Sequence, residues 1–151
     1  MKEIVVVSDT HYNNEPLKEI VRRFPSAIAY LHLGDSQVSE AELFPFVSVK
    51  GNNDYLIEKE ERLLTIRGFV VYMTHGHKMY LSKENMLFKA KQKQCDIFLF
   101  GHTHRPFYEV IDGIHFVNPG SASLSRSAVG NTFAVITLLD DGKIDVSFET
   151  I

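Results

Sequence analysis

A single cysteine, Cys95, stands among the 151 residues, so no intrachain disulfide can form. The fold must rest on its core, and the reducing cytosol is the expected compartment. Cys95 precedes a candidate buried strand and reads as an inert packing thiol. An excess of one charge is also missing. The 16 lysines and arginines against 19 aspartates and glutamates leave −3, which gives no electrostatic case for long nucleic acid or an anionic membrane surface. No apolar run approaches membrane-spanning length, and Ile4 to Val7, ahead of Ser8-Asp9, is too short for a signal-peptide core. A soluble, cytoplasmic protein is expected. Internal repeats, low-complexity tracts and linkers are absent too, so residues 1–151 read as one domain. With 44% hydrophobic residues, a chain of this length can bury a proper core.

What is present is a series of apolar strands that end in polar residues. Glu3 to Ser8 is β-branched and breaks into Asp9-Thr10-His11. Leu17, Ile20, Val21 and Phe24 repeat at helical spacing behind Pro16, until Pro25 stops the pattern. Ile28 to Leu33 predicts a second strand ending in Gly34-Asp35, which makes the opening β-α-β and its sheet parallel. Ser39 and Glu42 form a capping box for a short helix ended by Pro45, and Phe46 to Lys50 leads into Gly51-Asn52-Asn53-Asp54. Leu63 to Ile66 and Phe69 to Met73 flank Arg67-Gly68 as a hairpin that exits into Thr74-His75-Gly76-His77. Leu81 and Met86 staple a helix capped by Ser82, which runs toward Gln94 with a solvated lysine face. The fully apolar run Ile97 to Phe100 then ends in Gly101-His102-Thr103-His104. Phe107 to Ile111 with Ile114 to Val117, and Thr132 to Leu139 with Ile144 to Phe148, predict two further hairpins. These later strands are expected to form a second sheet packed on the first, with helices outside.

The polar exits share a chemistry. Asp9, His11, Asp35, Asn52, His75, His102 and His104 supply two carboxylates, one amide and four imidazoles, each within a few residues of a predicted strand end. That mixture suits first-row divalent metals such as manganese, iron, nickel or zinc, whereas calcium favours oxygen donors alone. Seven ligands exceed one tetrahedral site and suffice for two ions if a carboxylate bridges them. Such ions lie about 3.5–4 Å apart, bind phosphoryl groups and generate hydroxide near neutral pH. His32 and His115 fall inside predicted strands and are assigned to structure; Arg105 and Arg126 are assigned to the solvated surface. Tyr12 and Tyr55 flank the motifs and either wall the pocket or pack in the core.

In order and approximate spacing, these five motifs resemble those of the calcineurin-like metallophosphoesterases, and most of all the compact bacterial and archaeal phosphodiesterase branch. The resemblance runs from Ser8 to the turn Asn118-Pro119-Gly120-Ser121. It implies an α/β (α+β) fold, a four-layer α-β-β-α sandwich of two mixed β-sheets flanked by helices. It also implies that Asp9, His11, Asp35 and His104 hold a first ion and that Asp35, Asn52, His75 and His102 hold a second, with Asp35 as the bridge. Two divalent ions per chain are expected, manganese first and nickel, iron or zinc as alternatives. Many relatives carry a histidine after the ligand asparagine, where it is thought to protonate the leaving group; Asn53 stands there in this chain and cannot titrate. General acid help is worth roughly 10²–10⁴-fold, so its loss favours substrates with a weakly basic leaving oxygen. The expected reaction is therefore hydrolysis of a small phosphodiester by attack of a metal-bridging hydroxide. Asp35 fixes the metal spacing, Asn53 and His77 orient phosphate oxygens, and His77 is the candidate proton donor. The alternatives are a phosphomonoesterase on the same site and a catalytically silent interaction scaffold of the same fold, as in retromer's small subunit. A homodimer is compatible with the apolar strand edges.

Overall fold

The β-branched opening run becomes the middle of a sheet. In the computed structural model, which describes residues 1–151, β1 (Lys2–Val7) pairs in parallel with β2 (Ala29–His32) and, through it, with the short β3 (Val47–Ser48). On its other edge β1 pairs antiparallel with a strand from the far end of the chain, Thr132–Leu138. The elements between are α1 (Glu15–Arg23), a 3-10 turn (Ala41–Leu43), β4 (Glu61–Ile66), β5 (Phe69–Thr74), α2 (Lys83–Lys93), β6 (Ile97–Leu99), β7 (Pro106–Ile111) and β8 (Ile114–Pro119). β9 (Thr132–Leu138) and β10 (Ile144–Thr150) complete the chain. The two sheets have the orders β10-β9-β1-β2-β3 and β4-β5-β6-β8-β7, and both are mixed.

One strand pair sits elsewhere than expected. The β9–β10 hairpin does not join the second sheet but closes the free edge of β1 in the first. The reason lies in its residues. Ala134, Ile136 and Leu138 enter the core between the sheets, while Phe133 and Val135 pack on the other face beside Leu17 and Ile20 of α1. A strand apolar on both faces needs cover on both, and the place between β1 and β10 supplies it.

Three apolar layers hold the sandwich together. Ile4, Val6, Leu31 and Leu33 of the first sheet meet Val71, Met73, Ile97, Leu99 and Val117 of the second. The outer faces are covered by one helix each: Leu17 and Ile20 of α1 against Val5 and Val7, and Met86 and Ala90 of α2 against Tyr72, Phe98 and Phe116. Four layers, α-β-β-α, result. The cap of α2 is the expected one, with the Ser82 hydroxyl accepting from Asn85 N at 3.1 Å. The helix expected after Ser39 shrinks to a single 3-10 turn. Ser39 Oγ does accept from Glu42 N at 3.4 Å, and Pro45 closes the segment. No helix is long and apolar enough to cross a membrane.

Candidate metal centre

The parallel strands of the two sheets deliver five loops to one end of the sandwich: those after β1, β2, β3, β5 and β6. The chain turns away from these strands through left-handed residues. Asp9 (φ 56°), His11 (45°), Asp35 (61°), His102 (70°) and His104 (61°) all adopt positive φ, which costs roughly 1–2 kcal/mol each without glycine. Such geometry persists where the surroundings fix it from several sides, as they do here. The β1 and β2 loops continue as a ladder, with Asp9 N, His11 N and Tyr12 N donating to the carbonyls of Gly34, Asp35 and Ser36 at 2.9–3.0 Å. The buried Asp54 carboxylate accepts from Asp35 N (2.8 Å), Gln37 N (2.7 Å) and Gly51 N (2.7 Å), fastening the β2 loop to the β3 loop. Asn118 holds Gly101 O at 3.0 Å, while Ser121 Oγ donates to Asp9 O and Ser123 Oγ to Thr10 O, both at 2.7 Å. Even the approach of β1 to β6 is tight: a Cβ on Gly101 would overlap Ser8 Oγ and lie 3.0 Å from Asp9 Oδ2.

All seven expected ligands come together. His104 Nε2 lies 3.2 Å from Asp9 Oδ1, His11 Nε2 lies 3.3 Å from His104 Nε2, and His11 Nε2 lies 3.8 Å from both Asp9 Oδ1 and Asp35 Oδ2. On the other side His75 Nε2 lies 3.4 Å from Asp35 Oδ2, 3.8 Å from Asp9 Oδ1 and 3.0 Å from Asn52 Oδ1, and His102 Nδ1 lies 3.3 Å from His75 Nε2. Two groups with metal-holding geometry stand out, Asp9-His11-His104 and Asp9-Asp35-His75, and they share Asp9.

The outer nitrogens settle which atoms point inward as lone pairs. His75 Nδ1 faces Leu33 O at 2.7 Å, His104 Nδ1 faces Leu124 O at 2.7 Å, and His11 Nδ1 faces Gln37 Oε1 at 2.9 Å. A carbonyl oxygen only accepts, so each Nδ1 carries a proton, and each ring in its neutral, metal-binding form would present an Nε2 lone pair to the centre. Asp9 Oδ1, buried and without a hydrogen-bond partner, faces those lone pairs. Acceptor against acceptor at 3.2 Å is repulsive unless a cation or a proton lies between them. The donor set therefore fits a divalent ion on observations of this chain alone, with the carbonyls serving as the outer partners typical of metal-bound imidazoles.

The charge balance points the same way. Burial works against ionisation of Asp9, yet His104, His75 and the Ser8 hydroxyl hold its carboxyl below the usual range. Asp35 is held low as well: burial again opposes, and His75 with the two Asn53 hydrogen bonds prevails. Among the imidazoles, His104 is raised chiefly by its contact with Asp9, and His75 is raised because Asp35 and Asp9 outweigh its burial. Burial, then the proximity of the His75 imidazole, pushes His102 and His77 down. Two ionised carboxylates thus stay at the floor of the cluster and call for positive charge.

The remaining candidates divide clearly. His77 sits beside the cluster, its ring centroid 5.5 Å from that of His75, with a buried and unpartnered Nδ1. Asn53 directs its side-chain amide to Asp35 Oδ2 at 2.9 Å. Arg105 and Arg126 are solvent-exposed. Tyr12 and Tyr55 do not pack in the core, being 69% and 89% exposed on the loops that carry the ligands. His32 is fully buried. Sequence reasoning gave no role to Asp54, Gln37, Ser121 or Ser123. Asp54 and Ser121 stood within recognisable turns, whereas nothing local distinguishes Gln37 or Ser123.

Two sheets converge on a carboxylate-imidazole cluster at one end of an α-β-β-α sandwich, and this donor set suits a divalent-metal-binding class of protein. The chain belongs to the calcineurin-like phosphoesterase superfamily, whose domain model matches residues 1–141. It is 33% identical over 144 residues to the probable metallophosphoesterase YsnB of Bacillus subtilis, covering 91% of this chain and 85% of that one. A crystal structure of a conserved Streptococcus pneumoniae protein described as a predicted phosphoesterase superposes with a TM-score of 0.89 at 29% identity, covering 99% of this chain and 89% of the other. Two solved structures share the fold alone. One, described as a novel archaeal phosphodiesterase, has a TM-score of 0.76 at 19% identity over 97% of this chain and 99% of that one. The other is zinc-complexed Vps29 of Entamoeba histolytica, with a TM-score of 0.74 at 22% identity over 97% and 98%.

Proposed function

We propose that this protein is a dinuclear metal-dependent phosphodiesterase acting on a small phosphodiester. The observation that carries the reading is the position of Asp35 Oδ2, 3.8 Å from His11 Nε2 and 3.4 Å from His75 Nε2, between two sets of inward lone pairs. Asp9, His11, Asp35 and His104 would hold one ion, and Asp35, Asn52, His75 and His102 the other, with Asp35 shared. Manganese is the first candidate, and nickel, iron and zinc suit the same nitrogen-oxygen set. Bound there, the ions supply Lewis-acid charge and a nucleophile at neutral pH.

The protein's own residues do the rest. Asn53 fixes Asp35 through its backbone and side-chain N–H groups, and its second amide hydrogen remains for a phosphate oxygen. His77, held neutral near pH 7 by burial and its charged neighbours, orients a phosphate oxygen and is poorly suited to give up a proton. The site therefore lacks a strong general acid, which favours a leaving group that needs none. That is the argument for a diester with a good leaving oxygen over a monoester. All seven expected positions carry ligating side chains, which favours an enzyme over a silent scaffold with a degraded ligand set.

The test compares chromogenic diester and monoester hydrolysis by metal-stripped protein reloaded with manganese, nickel, iron or zinc. Metal-dependent diester turnover that vanishes in Asp35→Asn supports the proposal. A higher kcat/KM on the monoester would overturn the diester preference, and no turnover on either ester would overturn the enzyme reading.

A further inference from the structure

His32 lies beneath the metal centre and has no part in the chemistry proposed above. It ends β2, is completely buried, and has every polar atom in use. Gly34 N donates to its Nδ1 at 3.0 Å. A ring nitrogen that accepts carries no proton, so the hydrogen of the neutral ring is on Nε2, which donates to Thr10 Oγ1 at 3.0 Å. The threonine hydroxyl passes its own hydrogen to Asn14 Oδ1 at 2.8 Å. The chain of donors is thereby fully determined, from the backbone of one loop to the start of α1.

What it joins matters. Gly34 precedes Asp35, and Thr10 lies between Asp9 and His11. Gly34 (φ 104°), Asp35, Asp9 and His11 all hold positive φ, and the backbone ladder between the two loops fixes only their main chains relative to each other. The imidazole adds a side-chain strut from below, anchored to the last residue of a core strand. We propose that His32 is a positioning residue that sets the placement of Asp9, His11 and Asp35 through Thr10 and Gly34, and so governs metal affinity. The proposal rests on the reading of this cluster as a metal centre.

The test uses three variants and two readouts. Leu removes both hydrogen bonds; Asn places an acceptor near the Nδ1 position, and Gln places a donor near the Nε2 position. Hydrogen exchange is followed in metal-free protein, and manganese binding is measured by calorimetry at a temperature where all variants are folded. In His32→Leu the amides of Gly34, His11 and Tyr12 are expected to exchange at least about tenfold faster while those of β6 are unchanged, and manganese affinity is expected to fall on the order of 10–100-fold. His32→Asn retains protection at Gly34, His32→Gln retains it at His11 and Tyr12, and each recovers part of the affinity. The proposal is overturned if His32→Leu matches wild type in both readouts, or if exchange accelerates uniformly, β6 included, as loss of global stability would produce. It is also overturned if Asn and Gln are as impaired as Leu. Failure of the wild type to bind manganese would refute the metal-centre reading instead, and the exchange pattern would still decide the role of His32.

Discussion

Replacing Gly51 by alanine drives a methyl group into the Asp35 loop. The new Cβ would overlap Asp35 Oδ1 and lie 2.5 Å from Asp35 N and 2.8 Å from its Cγ. Neither neighbour yields cheaply. Asp35 N is tied to Asp54 Oδ2 at 2.8 Å, Asp35 Oδ1 accepts from Asn53 N at 2.9 Å, and retreat of the Gly51 turn breaks the 2.7 Å bond from Gly51 N to Asp54. Overpacking costs about 1–3 kcal/mol and one charge-assisted hydrogen bond roughly 1.5–3 kcal/mol, so the expected loss is about 3–5 kcal/mol. For a domain of this size that lowers Tm by about 10 °C. The carboxylate moves with the loop, and a displacement near 1 Å is expected to cost about 10²-fold in turnover. Thermal melts in chelator give the first quantity, and manganese titration with diester hydrolysis at 20 °C gives the second. A variant melting within about 2 °C of wild type, with unchanged metal affinity and turnover, would refute the claim that the β2 and β3 loops are packed to contact around Asp35.

Saturating manganese, at about 100 times its Kd, is expected to stabilise the fold by about 2.7 kcal/mol and raise Tm by about 5–10 °C, a shift that chelator reverses and Asp35→Asn reduces. Burial pushes the His32 imidazole down to about 4, against opposing pulls from Asp9 and Asp54, so the native state holds the neutral ring. The stability this contributes is complete above the unfolded value near 6.5 and is lost as pH falls toward 4; about 2–3 kcal/mol should disappear between pH 7.5 and 4.5. Urea midpoints for wild type and His32→Gln should therefore draw together over that range, and a constant gap would contradict the assignment. Asn53→His introduces a titratable group beside Asp35 and is expected to raise the monoester-to-diester rate ratio by about tenfold or more, with a new pH dependence in kcat. His77→Gln is expected to raise KM while leaving the pH profile in place, because the native ring is already neutral.

The sequence was most informative where chemistry and chain order coincide. Each of the seven ligands follows an apolar segment within a few residues, and the polar break after it is visible without coordinates, as in Phe98-Leu99-Phe100 before His102. Strand allocation was less legible. The β9 residues Ala134–Leu138 pair with β1 from 128 or more positions away in the chain (Val6 with Ala134 at the nearest), and only the apolar character of the strand on both faces hints at a place inside the first sheet. At Ser39 and Glu42 the cap forms as expected, but with Pro45 so close the helix is a single 3-10 turn. The supporting shell was hidden for a different reason. Asp54, Ser121 and Ser123 act through backbone N–H and C=O groups of other loops and Gln37 through the His11 imidazole, and such contacts leave no spacing rule in a sequence.

Two ions sharing the Asp35 carboxylate at the meeting point of five loops are most directly tested by counting them and measuring their coupling. Metal-stripped protein titrated with manganese should bind two ions per chain. Its electron paramagnetic resonance spectrum should show the exchange coupling of ions about 3.5–4 Å apart. Asp35→Asn should abolish that coupling. Saturation at one ion per chain, or two ions with uncoupled spectra, would contradict the shared-carboxylate account.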